Sequence, residues 1–402
     1  MPPVIFLLAV AVFAQGTSEF MLAGLLPAIA ADLGIGIPQA GLLTSAFAVG
    51  MVVGAPLMAA ISRRWSPRLA LSGFLVIFIL MHVLGALTDE FAVLLISRIV
   101  AALTNAGFLA VTLSTVSALV PQDRTARALA VILGGTTLAL IAGVPGGAVL
   151  GSLFGWRSAL WAVAIISVPA LIAVVIATPR AAGSGSPVAS GSAAAPGRAE
   201  ASGTQAVRLT AELAVLRRGT LLFPLGLGAL VNGATFCAFT YVAPVVTEAA
   251  QLPTGVVPLI LAIFGVGSFA GVWAAGRFGD LHSERILVFG GMALFLGWCA
   301  FFAGAHLPAV VFSLALVQGA LSFAVGSTLI ATSIRAAASA PTMSGSFATA
   351  SLNIGAAAGP VLGGLAYASA AGALGPLAVS AALVGLAALV FALGRGRGPG
   401  RP

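Results

Sequence analysis

Apolar residues run along this chain in stretches of about twenty, separated by short clusters of arginine, glycine, proline and small polar residues. A helix crossing a bilayer needs about 20 predominantly apolar residues. Stretches near 4–30, 39–61, 69–87, 92–118, 128–150, 158–178, 219–245, 256–277, 286–304, 309–333, 342–368 and 375–394 qualify, and are numbered here spans 1 to 12. An even number of spans puts both ends of the chain on one side. Arginine selects that side: Arg63, Arg64 and Arg68 follow span 2, Arg124 and Arg127 follow span 4, and Arg180, Arg198, Arg208, Arg217 and Arg218 separate spans 6 and 7. Arg277 and Arg285 follow span 8, Arg335 follows span 10, and Arg395, Arg397 and Arg401 end the chain. The positive-inside rule makes these loops, and both termini, cytoplasmic. The opposite loops carry Asp32, Asp89, Glu90, Glu248 and Arg157.

Residues 181–206 break the pattern with Gly, Ser, Ala and Pro, the composition of a flexible linker. In the following segment, Val207, Leu209, Leu213 and Leu216 stand against Arg208, Glu212 and Arg217, the pattern of a short helix on the membrane face. The organisation expected is a six-helix half over 1–180, a cytoplasmic linker over 181–218, and a second six-helix half with a short basic tail over 219–402. The halves repeat. An offset of 217 pairs Gly16 with Gly233, Pro27 with Pro244, Phe47 with Phe264, Gly50 with Gly267, Gly54 with Gly271 and Arg68 with Arg285. Gly143, Gly147 and Gly151 in span 5 answer to Gly355, Gly359 and Gly363 in span 11, with Pro145 and Pro360 beside them. Glycines stepping by four make a smooth helix face on which a neighbour can pack closely.

Composition narrows the class. Only 7% of residues are charged, 60% are hydrophobic and mean hydropathy is +1.14, whereas a soluble domain carries about 25% charged residues. The net charge of +8 is scattered between apolar spans without interleaved aromatics, so no nucleic-acid partner is expected. Cys237 and Cys299 are too few for a disulfide framework or metal site. The first apolar stretch is too long for a cleaved signal and contains Glu19, so it reads as a span. The glycine runs lie inside hydrophobic helices with no P-loop lysine, which leaves proton motive force, with no bound cofactor, as the expected energy source. The fold class is an all-α membrane protein of twelve helices in two pseudo-symmetric halves, a multi-pass protein of a bacterial cell membrane. It is expected to be a monomer that is no enzyme and meets lipid, protons and a small-molecule substrate.

Particular segments resemble a known family. Gly16-Thr-Ser-Glu19-Phe-Met-Leu-Ala-Gly-Leu-Leu-Pro27 is similar to the first span of twelve-span drug:proton antiporters of the major facilitator superfamily. Arg98 with Asn105-Ala-Gly107 resembles that superfamily's motif B. Gly134 with Gly143-Val-Pro145-Gly-Gly147 resembles its antiporter motif C, and Gly359-Pro360-Val-Leu-Gly363-Gly364 is a cleaner copy. Motif A after span 2 lacks its usual Asp, reading Ser62-Arg63-Arg64-Trp65-Ser-Pro-Arg68, while the second half keeps Asp280. The resemblance implies a gating role for Arg68 and Asp280, with the acid of the gating salt bridge kept at the second loop. Leu43-Thr-Ser-Ala-Phe-Ala-Val-Gly-Met51, Asn105-Ala-Gly-Phe-Leu-Ala-Val111 and Ala340-Pro-Thr-Met343 resemble actinobacterial chloramphenicol-resistance exporters. The resemblance implies a phenicol substrate; an exporter of sugars, nucleosides or another metabolite is the alternative on the same scaffold.

Glu19 is the acid deep within a span and Arg98 the arginine within one. Intramembrane charge costs about 2.5–3.5 kcal/mol on insertion scales, so each is a functional expectation by default. They are assigned to proton coupling. Two arrangements stay open for Arg98: a direct pair with Glu19, or a guanidinium that snorkels outward or caps backbone carbonyls. In the resembling fold spans 1, 4, 7 and 10 line the cavity. Gln15 shares a face with Glu19, Asn105 with Arg98, Asn232 with Phe236 and Phe239, and Gln318 with Ser322. These, with Tyr241, form the expected substrate pocket, the weighed alternative for each amide being a hydrogen bond between helices. His82 and His306 have no companions and read as structural.

Overall fold

The computed structural model describes residues 3–62, 65–120, 122–177, 219–337 and 344–395. The expected linker, its short helix and the basic tail lie outside the described residues, as do Arg63, Arg64 and the side chain of Asp280. Among the described residues there is no strand, and helices fill all twelve expected spans. Eleven are long and apolar enough to cross a membrane. The remaining one, span 11 at Ser344–Tyr367, has the length but carries Ser344, Ser346, Thr349, Ser351 and Asn353 in its first half.

Spans 2, 3, 4 and 6 are the helices Ile37–Ser62, Pro67–Leu87, Phe91–Leu119 and Arg157–Ala177. Spans 10 and 12 are Pro308–Ala336 and Gly375–Arg395. Span 1 is not one helix as expected. It runs from Pro3 to Phe20, tightens into a 3-10 turn at Met21–Gly24 and resumes at Leu26–Asp32. Pro27 has no N–H to offer the carbonyl of Ala23, which breaks the ladder there. Span 7 breaks at the equivalent place: Gly219–Thr240 ends at Tyr241, and Pro244 opens onto a π-turn at Val245–Ala249. Span 5 carries a π-turn at Ala139–Gly143 between Gln122–Leu138 and Val144–Phe154. Spans 8 and 9 differ from expectation too. Helix Val257–Arg285 passes through Arg277 and Arg285, kinks at His282, and meets the π-turn Ile286–Gly290 and helix Gly291–Gly304 without a loop.

Positions related by the 217-residue offset do equivalent work. A Cβ on Gly54 would lie 2.9 Å from the Leu103 Cα in span 4, and one on Gly271 would lie 2.9 Å from the Ala320 carbonyl carbon in span 10. Gly16 faces Ala139 of span 5 at 3.0 Å, and Gly233 faces the Gly355 backbone of span 11 at 3.2 Å. Small residues thus bring backbones together, the usual means of helix association in lipid. Gly143, Gly147 and Gly151 lie against Thr17, Met21 and Leu25 of span 1; Gly355, Gly359 and Gly363 lie against span 7 from Ala229 to Tyr241. Pro145 is buried beside its glycines, and the carbonyl of Pro360 faces span 7.

The sides of the molecule are called here terminal and far. On the far side Tyr241, fully buried, joins the core of the first half and presses on Gly41. Pro38 of span 2 meets Gly364 of span 11 there. Midway, Gly265 of span 8 meets the Leu140 backbone of span 5. At the outermost rim Arg157 binds Asp32, donates to Asp89 at 2.6 Å and stacks over Trp156 at 4.4 Å.

Candidate functional site

The break in span 1 creates the site. Carbonyls in the last turn of a helix have acceptor capacity to spare, and Ser18 lies in that last turn. Arg98 of span 4, 2% exposed, reaches it: Nη2 donates to the Ser18 carbonyl at 2.5 Å and Nη1 to Ser18 Oγ at 2.8 Å. The negative end of the helix dipole favours a cation there. The guanidinium also sits 4.6 Å over the Phe47 ring, a contact worth about 2 kcal/mol when desolvated. Arg98 therefore caps a backbone carbonyl, and the direct pair with Glu19 is not formed.

Successive residues of a helix point about 100° apart, as 3.6 residues per turn require. Thr17 points at Gly143 of span 5, Ser18 at Arg98, and Phe20 at span 7, with ring centroids 5.7 Å from Phe236 and 6.4 Å from Phe239. Glu19 consequently projects between spans 4 and 7. Its side chain is partly buried, and among the described residues no hydrogen bond or ion pair engages it. One turn away Gln15 is 1% exposed with both amide atoms unpartnered. A carboxyl, an unused amide and an aromatic layer thus share one place, with Arg98 beside them. Behind that layer lies an open apolar groove of about 370 Å³ between spans 2 and 11, lined by Val49, Val52, Val53, Ile354, Ala357 and Ala358. Ala357 also packs against Phe236.

Other expected site residues are placed differently. Gln318 takes the helix-to-helix alternative: its Nε2 donates to the Leu294 carbonyl at 3.1 Å and its amide abuts Gly297, so it turns into span 9. Tyr241 lies on the far side, where its hydroxyl donates to the Pro360 carbonyl at 2.9 Å and its ring is fully buried. Asn232 donates to the Leu352 carbonyl of span 11 at 2.7 Å, the helix-to-helix alternative. Asn105 is buried on span 4 two turns from Arg98. Arg68 opens span 3 as an N-terminal residue of that helix, and Asp280 lies in the final turns of span 8. Sequence reasoning overlooked Ser18 and read His82 as structural without a companion, yet His82 Nε2 lies 2.7 Å from Ser18 Oγ. The signal was available, because an ionisable side chain in mid-span is a functional expectation by default.

The family model described as Major Facilitator Superfamily matches residues 8–345. The chain is 51% identical, over 97% of its own length and 95% of the relative's, to a protein of Streptomyces lividans named chloramphenicol resistance protein. It is 32% identical, over 95% and 93%, to the inner membrane transport protein YdhP of Escherichia coli strain K12. Among solved structures, a bacterial homologue of the human lysosomal transporter Spinster, inward-facing and unoccupied, matches with a TM-score of 0.72 at 17% identity, covering 98% of this chain and 97% of that one. The nucleoside transporter NupG matches with a TM-score of 0.74 at 14% identity, covering 97% and 99%. At those identities the structures speak for the fold.

Proposed function

The chain belongs to the Major Facilitator Superfamily and is a multi-pass membrane transporter; from that premise we propose that it exports a small neutral amphiphilic drug, chloramphenicol or a related phenicol, in exchange for protons. Glu19 carries the reading. It is a carboxyl deep within a span, facing the space between the halves, with no hydrogen bond or ion pair among the described residues, next to an aromatic layer and an unused amide. The Streptomyces relative named for chloramphenicol resistance supports the substrate class. A neutral drug finds apolar surface at Phe20, Phe236 and Phe239 and hydrogen bonds at Gln15. Glu19 takes a proton from outside and gives it up inside, and drug competes with the proton for the site. Two ligands that favour opposite openings of the same halves drive exchange through one equilibrium. With the far side closed by Tyr241, the state described here takes drug from the cytoplasm, given cytoplasmic termini.

Cells expressing the chain should hold less chloramphenicol than cells without it, and an uncoupler should remove the difference. Glu19→Gln keeps the shape and fixes the neutral form. It should bind drug at every pH alike and lose uphill export. Uphill export by Glu19→Gln at near wild-type rate would place the proton site elsewhere. Protease outside right-side-out vesicles should leave the linker over 181–206 intact; cleavage there would reverse the orientation.

A further inference from the structure

Serines and threonines inside these spans commonly return their hydroxyl proton to the carbonyl one turn back, as Thr17 does to Phe13 and Ser268 to Phe264, both at 2.8 Å. Ser18 does not. Its Oγ accepts from Arg98 Nη1, and its own proton goes to His82 Nε2 at 2.7 Å. The ring's other nitrogen, Nδ1, lies 2.7 Å from the Phe78 carbonyl, which can only accept. The ring proton is therefore on Nδ1, and Nε2 presents a lone pair. The bonds run in one direction: Arg98 to Ser18, Ser18 to His82, His82 to Phe78. Each bond in such a chain polarises the next. The residues come from spans 1, 3 and 4, and Ser18 and His82 are both fully buried.

We propose that His82 is a positioning residue: by taking the Ser18 proton it keeps Ser18 Oγ turned toward span 4, which fixes the Arg98 guanidinium on Ser18 and holds it apart from Glu19. The inference rests on the reading of Glu19 as the proton site. Without the imidazole, Ser18 turns back to the Ala14 carbonyl as its neighbours do, and Nη1 loses its acceptor. The next acceptor along span 1 is the Glu19 carboxylate. An ion pair there would hold Glu19 ionised and turn a loading site into a fixed one. The ionisable groups around this stretch are few. Span 4 brings Arg98 and span 3 brings His82, while spans 2, 5 and 7 bring Phe47, Gly143 and Phe236. Span 6 carries Arg157 at the rim, engaged with Asp32 and Asp89. Span 5 carries Asp123, Arg124 and Arg127 in its first two turns, remote from Gly143.

Two variants separate the imidazole's bonds from its bulk. His82→Phe keeps a ring against Phe78, whose centroid lies 4.2 Å from the His82 ring, and removes both bonds. His82→Gln offers Ser18 an amide oxygen near the place of Nε2. Chloramphenicol binding to the full chain in nanodiscs should weaken as pH falls, with wild-type and His82→Gln midpoints alike. In His82→Phe the midpoint should move about one pH unit lower, a tenfold change in proton concentration, with affinity at high pH retained. Should that variant fail to fold, Ser18→Ala removes the hydroxyl that accepts from Arg98 Nη1 and should give the same displacement. A wild-type midpoint in both would overturn the positioning role. A second readout does not depend on Glu19: ¹⁵N spectra of histidine-labelled protein in bilayers at pH 7 should show His82 neutral with its proton on Nδ1. The Nε2–H tautomer, or an imidazolium, would overturn the inference even if Glu19 couples. A wild-type pH profile unchanged by Glu19→Gln would instead overturn the reading of Glu19, leaving the ¹⁵N signature to decide for His82.

Discussion

Tyr241→Ala tests whether one side chain holds the far side shut. The tyrosine belongs to span 7, yet its ring is fully buried among residues of the first half, against Gly41. On its own half it packs on Gly363 and Gly364 and stacks on Tyr367, with centroids 5.9 Å apart. Truncating a large buried ring costs about 3–5 kcal/mol. Only the share made across the halves disappears when they part on that side. Taking that share as about half gives about 2 kcal/mol of bias toward far-side opening, about 30-fold in the equilibrium. Tyr241→Phe removes the bond to Pro360, which lies within one half, and the small contact of the hydroxyl with Gly41, while the ring keeps its place. It should cost about 1 kcal/mol of stability with little bias. The assay is reaction of Ala40→Cys, at a fully buried position of span 2, with an impermeant maleimide applied outside cells. Cys237 and Cys299 are replaced by Ala beforehand. Labelling should be about 30-fold faster with Tyr241→Ala and near the parent rate with Tyr241→Phe. Equal rates for all three would refute the argument that this ring closes the gap.

Gly359→Val should loosen the second half. A Cβ there would stand 3.0 Å from the Cys237 amide nitrogen and closer still to the Gly233 carbonyl oxygen, backbone that cannot yield. The cost should be about 1–3 kcal/mol, read as a lower melting temperature in detergent, while Gly276→Ala, with nothing within 4 Å, should melt like the parent. A parental melting temperature for Gly359→Val would mean that spans 7 and 11 do not need their close approach. Asp32 gives a pH prediction. Its hydrogen bond from Arg157, then one from Trp156, hold the carboxyl below its usual 3.8. A depressed folded value means the contribution is complete above the unfolded value and lost only as pH falls through the lower, folded one. The rim pair should thus stay intact at mildly acidic external pH and not compete as a proton carrier. Being exposed, it should contribute no more than about 1 kcal/mol. Asp32→Asn should leave the pH profile of export unchanged; a displaced profile would restore Asp32 as a coupling site.

The twelve spans were legible because the demand for about 20 apolar residues is local, written into each stretch separately. The breaks in spans 1 and 7 were less visible, although Pro27 and Pro244 stood out in the repeat. A proline announces a lost hydrogen bond, but whether the helix bends, breaks or continues depends on its neighbours. Glu19 and Arg98 could be chosen because charge inside lipid is rare. Helical spacing also put Gln318 on a defined face of its span, but spacing cannot say which neighbour that face meets, and the neighbour is span 9. Ser18 and His82 are 64 residues apart, and only packing of spans 1 and 3 makes them partners.

Span 11 carries a consequence for how the chain is made. Its polar first half makes it a poor candidate to leave the insertion machinery alone, since lipid satisfies no hydroxyl or amide. Span 7 supplies what lipid does not: Ser351 donates to the Leu225 carbonyl, Asn232 to the Leu352 carbonyl and Tyr241 to the Pro360 carbonyl. Span 7 precedes span 11 by more than a hundred residues, so it already stands in the membrane when span 11 is synthesised. Its free bonding groups then act as an internal template, and the order of synthesis becomes part of the instructions for folding.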